Sequence, residues 1–257
     1  MEALKLIILG IIQGLTEFIP VSSSAHLIII RELLHWEDIG LSFDMAIHLG
    51  TLLALIIYMW RDWYEILTRK RYILFSVIIA TIPGAILGFL LENVAESYFR
   101  SLFLIGIAMS IFGVILFSVD RLSSHSRSLE HMKVKDAIII GVSQVLAIIP
   151  GVSRSGATIT GAFLCGFKRS DSARFSFLLS VPTIGGAGFV SLLKILNDSS
   201  SSFSISGLFL GILTSFIFGY IAVHFMLNYL RRHNTNIFVY YRLIVGIFLV
   251  VFSLIKG

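Results

Sequence analysis

Charge is what this sequence has least of. Of its 257 residues only 14% are Asp, Glu, Lys or Arg, while 56% are hydrophobic; soluble domains run at roughly 25% and 45–50%. With a mean hydropathy of +0.92, a water-soluble globule is excluded and an integral membrane protein is expected. Cysteine is nearly absent as well. The single Cys165 allows no intrachain disulfide and no thiolate cluster for a metal; it reads as a small packing residue. A cleaved signal peptide is not expected either. The start sets Glu2 against a single Lys5, and Gln13 and Glu17 interrupt the apolar run. The net charge of +5 does not point to nucleic acid, because in a membrane chain basic residues gather in cytoplasmic loops.

Long apolar runs fill the rest. Six spanning helices are predicted at 44–60, 73–91, 102–119, 174–193, 205–229 and 239–256, each near the ~20 residues a span needs. The basic segments 61–72, 120–135 and 231–242 then lie in the cytoplasm, and the segments 92–100 and 197–204 outside. Two pieces remain, 4–34, broken by "FIPVSSS", and 136–167, broken by "IPGVSRSG". Their half-segments are too short to cross singly. Basic residues flank the second piece on both sides, so each is read as a hairpin that dips in and returns.

The two pieces resemble each other. "GIIQGLTEFIPVSSSAH" and "GVSQVLAIIPGVSRSGAT" share Gly, then Gln (Gln13, Gln144), then Pro (Pro20, Pro150), then a serine-rich tip; "TIPGAILGF" also echoes "SVPTIGGAGF". The expectation is one membrane domain, 1–257, of two inverted-topology repeats, about 1–125 and 130–257. Each repeat is a re-entrant broken hairpin followed by three spans. In such folds the site lies at mid-membrane on the repeat interface.

Non-helical backbone at that depth must be packed in protein or line a polar cavity, so the tips should meet. After Pro20 and Pro150 the chain can reopen as helices capped by serine, whose N-termini suit a bound phosphate. Glu17 costs roughly 2.5–3.5 kcal/mol at a membrane helix centre. Gln13 and Glu17, at i and i+4, can hold a divalent cation or hydrogen-bond a substrate. The competing reading is a structural ion pair with Arg154, and both can hold. His26, three and four residues after Ser23 and Ser22, can deprotonate a serine hydroxyl or attack phosphorus itself. His35, His48, His125, His131, His224 and His233 lack such company and read as background. Arg154, between Ser153 and Ser155, is the counter-ion of Glu17 or an oxyanion clamp. Thr158, one turn on, donates to a ligand or back-bonds its own helix. A carboxylate, serines, a histidine and an arginine favour phosphoryl over acyl transfer.

At these residues the chain resembles a known family. "QGLTEFIPVSSSAH" (13–26) and "PGVSRSGAT" (150–158) are similar to the [E/Q]xxxE, PVSSxxH and PGxSRSxxT motifs of the bacterial undecaprenyl-diphosphate phosphatases, the bacitracin-resistance family, and the likeness continues through "ARFSFLLSVP" (173–182). The resemblance implies a hydrolase of the inner (plasma) membrane that removes one phosphate from undecaprenyl diphosphate for cell-wall synthesis. Its site would open to the periplasmic or outer face. It further implies a divalent metal ion, Mg2+ or Ca2+, held with the diphosphate by Gln13 and Glu17. Ser23 or His26 would be the nucleophile, and Ser22, Ser24, Ser153, Arg154, Ser155 and Thr158 would bind phosphate. Gln13 stands where glutamate is common, which removes one anionic ligand, and Ala25 where glycine is frequent. The expected partners are the lipid diphosphate and the bilayer, with a homodimer left open. The alternative reading is a transporter or flippase of a prenyl phosphate lipid, since inverted repeats with broken helices also serve alternating access. A purely structural membrane protein leaves the intramembrane Glu, His and Arg without a reason.

Overall fold

The computed structural model describes residues 2–36, 41–197 and 205–256. Among them the regular structure is helical apart from one isolated parallel bridge between Arg127 and Phe167. The helices are α1 (Glu2–Phe18), α2 (Ser23–Leu33), α3 (Leu41–Tyr58), α4 (Trp60–Thr68), α5 (Arg71–Tyr98) and α6 (Leu102–Leu122). After a loop come α7 (Val134–Val145), α8 (Arg154–Leu164), α9 (Arg169–Asn197), α10 (Ile205–Tyr229) and α11 (Asn236–Lys256).

Four helices are long and apolar enough to cross a membrane: α5 over Arg71–Gly88, α6, α10 over Ser206–Tyr229, and α11. A fifth span results if α3 and α4, bent by 68° at their junction, count as one. The predicted span 174–193 falls inside α9 and is not among these four. Ser172, Ser176 and Ser180 of α9, one turn apart, are all buried in protein, so this helix meets neighbours rather than lipid along that stripe. Two loops also differ from expectation. The segment 92–100 continues α5 as far as Tyr98, and 231–242 is not a loop throughout, because α11 begins at Asn236 and carries Arg242 into the interior. Of 197–204 only Asn197 lies within the described residues.

With lipid outside, helices gain little from hydrophobic burial against one another and pack through small residues instead. On α6 and α11, Gly106 and Gly246 let the backbones touch; a Cβ on Gly106 would sit 2.6 Å from the Gly246 carbonyl oxygen. Gly14 of α1 does the same against Ser215 and Gly219 of α10. In the same way α7 packs on α5, and α3 packs on both α9 and α10.

Polar contacts locate the ends of the short helices. Lys5 at the start of α1 lies 5.5 Å from the ring of Trp36, just past α2. Lys256 at the end of α11 donates to Glu32 near the end of α2 at 2.8 Å. For the other short pair, the Arg127 N–H donates to Gly166 O at 3.0 Å and the Lys168 N–H to Arg127 O at 2.8 Å, tying the chain before α7 to the chain after α8. Beside that knot, buried Asp120 accepts from Arg169 Nε at 2.6 Å and from the Thr235 N–H at 2.8 Å, at the start of α11.

Candidate functional site

Each short pair breaks at a proline. Pro20 has no N–H to continue α1 and pushes Ile19 out of helical geometry. The chain then turns through Val21, whose N–H donates to Ile19 O at 2.7 Å, and reopens at Ser22. Ser22 has φ +76° and caps α2, its Oγ accepting from the Ala25 N–H at 3.4 Å. The second break repeats this: after Pro150, Gly151 has φ +99° and Ser153 φ +72°, and Ser153 Oγ accepts from the Gly156 N–H at 3.2 Å. A non-glycine residue at such a φ costs on the order of 1–3 kcal/mol and persists where its surroundings over-determine it. Both serine caps pay it at matching places.

The two tips touch. The Gly151 N–H donates to Ser22 Oγ at 3.1 Å, and Ser155 Oγ donates to Ile19 O at 3.2 Å. Glu17, 6% exposed, is the centre of the contact. Its Oε2 accepts from Gln13 Nε2 at 2.8 Å and Ser23 Oγ at 2.5 Å, and its Oε1 accepts from Arg154 Nη2 at 2.5 Å. The ion pair weighed from the sequence therefore forms, and it joins one tip to the other. The second arm of Arg154 donates to Thr183 Oγ1 on α9 at 2.9 Å.

These groups face a cavity of about 230 Å³, below the roughly 300 Å³ at which pockets for drug-sized ligands begin. Glu17, Ser22, Ser23, Ser24, Ser153 and Arg154 line it, with Met45, Ile184 and Ala187 as an apolar wall. The first N–H groups of α2 and α8 have no partner within their helices, and these N-termini flank the space.

The remaining expected residues lie off the cavity wall. Gln13 is fully buried behind Glu17, and its Oε1 has no partner. Ser155 turns its hydroxyl to Ile19 O and Ser153 Oγ. Thr158, 1% exposed, back-bonds to Arg154 O at 2.9 Å and meets Ser176 Oγ at 2.6 Å. His26 does not stand over a serine hydroxyl. The four-residue spacing brings its Nδ1 to the Ser22 carbonyl, 2.7 Å away, while Nε2 meets Tyr241 Oη at 2.6 Å with the two rings stacked.

Three residues join the site without a motif to announce them. His48, read from the sequence as background, lines the cavity with Nε2 3.4 Å from Glu17 Oε2. Its Nδ1 lies 2.5 Å from the Asp44 carbonyl, which can only accept, so Nδ1 carries a proton and Nε2 is the atom that faces Glu17. Thr183 anchors Arg154. Arg242 donates to carbonyls of both tips.

A metal finds one anionic ligand on this wall. Among the described residues no three His, Cys, Asp or Glu side chains converge on a common point, and Glu17 is the one carboxylate facing the cavity. That set fits a cation arriving on phosphate oxygens, since Mg2+ is commonly held by one or two carboxylates plus substrate phosphates. It does not fit an all-protein cage.

A sequence model of the family described as "Bacitracin resistance protein BacA" matches residues 6–248. The chain belongs to that family. It is also similar to curated relatives named undecaprenyl-diphosphatase. The protein of Caldicellulosiruptor bescii is 44% identical over 266 aligned positions covering 100% of both chains. That of Desulforudis audaxviator is 43% identical over 98% of both, and that of Moorella thermoacetica 42% over 97% of both. The BacA match spans both tips, every residue of the cavity wall, and Arg242.

Proposed function

We propose that this chain is a membrane phosphatase that hydrolyses undecaprenyl diphosphate to undecaprenyl phosphate and inorganic phosphate, returning the lipid carrier to cell-wall synthesis and thereby conferring resistance to bacitracin. The observation that carries the reading is one cavity, sized for a head group, in which a carboxylate and a serine from one tip meet an arginine from the other.

Ser23 is the nucleophile. Its hydroxyl is on the wall and already shares its proton with Glu17, whereas His26 is committed to Tyr241 and the Ser22 carbonyl. Attack of Ser23 Oγ on the terminal phosphorus delivers the proton to Glu17. Undecaprenyl phosphate leaves and takes that proton from Glu17; the regenerated carboxylate is then the base when water attacks the phosphoserine, and it passes the water's proton to Ser23 Oγ as inorganic phosphate departs. Arg154 turns its fork from Glu17 to the phosphate oxygens, where its planar donors match, and the N-termini of α2 and α8 oppose the charge that develops there. Ser22, Ser24 and Ser153 complete the wall. A divalent cation, Mg2+ or Ca2+, would be held by Glu17 and the diphosphate and would supply further neutralisation of the phosphate oxygens. Gln13 supports that carboxylate from behind.

The reading extends to architecture. Exchanging α1, α3, α5 and α6 for α7, α9, α10 and α11 maps the α1·α10 packing onto α7·α5 and α10·α3 onto α5·α9, and leaves α3·α9 and α6·α11 as they are. That exchange supports two inverted repeats, about 1–125 and 130–257, with six spans once α9 is counted. By this order α5 corresponds to α10, so the sequence echo between "TIPGAILGF" on α5 and "SVPTIGGAGF" on α9 is not part of the duplication. Lys5 with Trp36, and Arg127 with Gly166, support hairpins that enter and return. The contact of α2 with the end of α11, and of Asp120 with its beginning, supports their entering from opposite faces. Basic loops then set the first hairpin toward the outer face.

The test is phosphate release from a long-chain prenyl diphosphate by the purified protein, with Ser23→Ala and Arg154→Ala beside it. Each variant should lose at least about a hundredfold in rate. Full activity in Ser23→Ala would refute the nucleophile, and lipid movement without hydrolysis would favour the carrier reading.

A further inference from the structure

Arg242 is the largest fully buried side chain in the described protein, 1% exposed. A charge taken out of water is costly unless it is paired and hydrogen-bonded, yet among the described residues no carboxylate meets this one. All its partners are main-chain carbonyls. Nη1 donates to Pro20 O and Val152 O, both at 3.0 Å, Nη2 to Gly151 O at 2.9 Å, and Nε to Met109 O of α6 at 3.2 Å. One acceptor belongs to the first tip and two to the second. Each lies within two residues of the serine that caps α2 or α8. The space is kept open by Gly156, where a Cβ would come within 3.1 Å of Nη1.

Only a planar fork with donors on several edges can hold carbonyls from three segments at once. We infer that Arg242 is a positioning residue for hydrolysis, locking the N-termini of α2 and α8 into one frame so that Ser23 and Arg154 address the same phosphate. The inference rests on the proposed function above. It makes α11 part of the site although no group of Arg242 reaches the cavity wall.

The test pairs Arg242→Met with Arg242→Lys in purified protein, measuring kcat and KM for a long-chain prenyl diphosphate and amide hydrogen exchange across 19–26 and 149–157. In Arg242→Met, kcat should fall about a hundredfold, the scale of a 1 Å misplacement of reacting groups. KM should stay within about threefold, because tail binding is untouched, and exchange should quicken in both tips together. Arg242→Lys, with its donors radiating from one point, should fall between the two. Wild-type kcat in either folded variant overturns the inference, as does loosening of one tip alone. Failure of both variants to give monodisperse protein overturns it too, since Arg242 would then be architectural. If Ser23→Ala retains activity, the proposed function fails instead, while hydrogen exchange still reports whether Arg242 couples the tips.

Discussion

Removing the Arg154 charge should destabilise the protein more than removing the charges of Arg154 and Glu17 together. The two side chains are 19% and 5% exposed and joined at 2.5 Å, so solvent screens them little. Deleting one partner of such a pair costs roughly 3–5 kcal/mol, because the other is left buried and uncompensated. Glu17 retains Gln13 and Ser23 as donors and His48 nearby, which places Arg154→Met at the low end, about 3 kcal/mol. In the double variant Glu17→Gln, Arg154→Met, the amide keeps its neighbours and no lone charge remains. A coupling of about 2 kcal/mol is expected, inside the 0.5–3 kcal/mol range for residues in contact. Denaturant unfolding of the wild type, both single variants and the double in one detergent gives the cycle directly. Additivity to within about 0.5 kcal/mol would show that the pair does not compensate mutually and would refute the reasoning. All three variants should be inactive in phosphate release, so the double variant separates a stable fold from a working site.

Two further outcomes follow from residues on either side of the cavity wall. Thr158→Val removes a hydroxyl that bonds Ser176 and its own helix; stability should drop by about 1 kcal/mol with KM for the prenyl diphosphate unchanged, whereas a phosphate-binding Thr158 would raise KM. His48→Gln removes the imidazole that lies 3.4 Å from Glu17, and phosphate release should slow about tenfold, the scale of one contact to a charged group; an unaltered rate would make His48 a bystander.

How much of this is legible in the sequence depends on how far apart the partners lie. Gln13 and Glu17 bond within one helix turn, so spacing alone finds them. The serine caps are equally local. The meeting of the tips follows from one physical constraint, that broken backbone cannot face lipid, and with it comes the pairing of Glu17 with Arg154. His26 shows the limit of spacing. Four residues bring it above Ser22, but a cap serine offers a carbonyl as well as a hydroxyl, and the ring takes the carbonyl. His48, Thr183 and Arg242 escape because each meets the site across a helix interface. Arg242 is further disguised by its place at the end of the basic run 231–242, where counting charges assigns it to a cytoplasmic loop.

The charge balance at the tips argues for what the cavity holds. Arg154 and Arg242 bring two positive charges against the single carboxylate of Glu17, while the nearby buried Arg31 and Asp44 pair with each other at 2.7 Å. The N-termini of α2 and α8 each add the equivalent of roughly half a positive charge. This excess sits in a low-dielectric interior, where electrostatic interactions are far stronger than in water. An anion completes such a site, and a cation fits it only in company with that anion. In the proposed reaction, a diphosphate head group would supply the missing negative charge and draw Arg154 from Glu17, freeing the carboxylate for Ser23. On that proposal, substrate binding and activation of Ser23 are two consequences of one displacement.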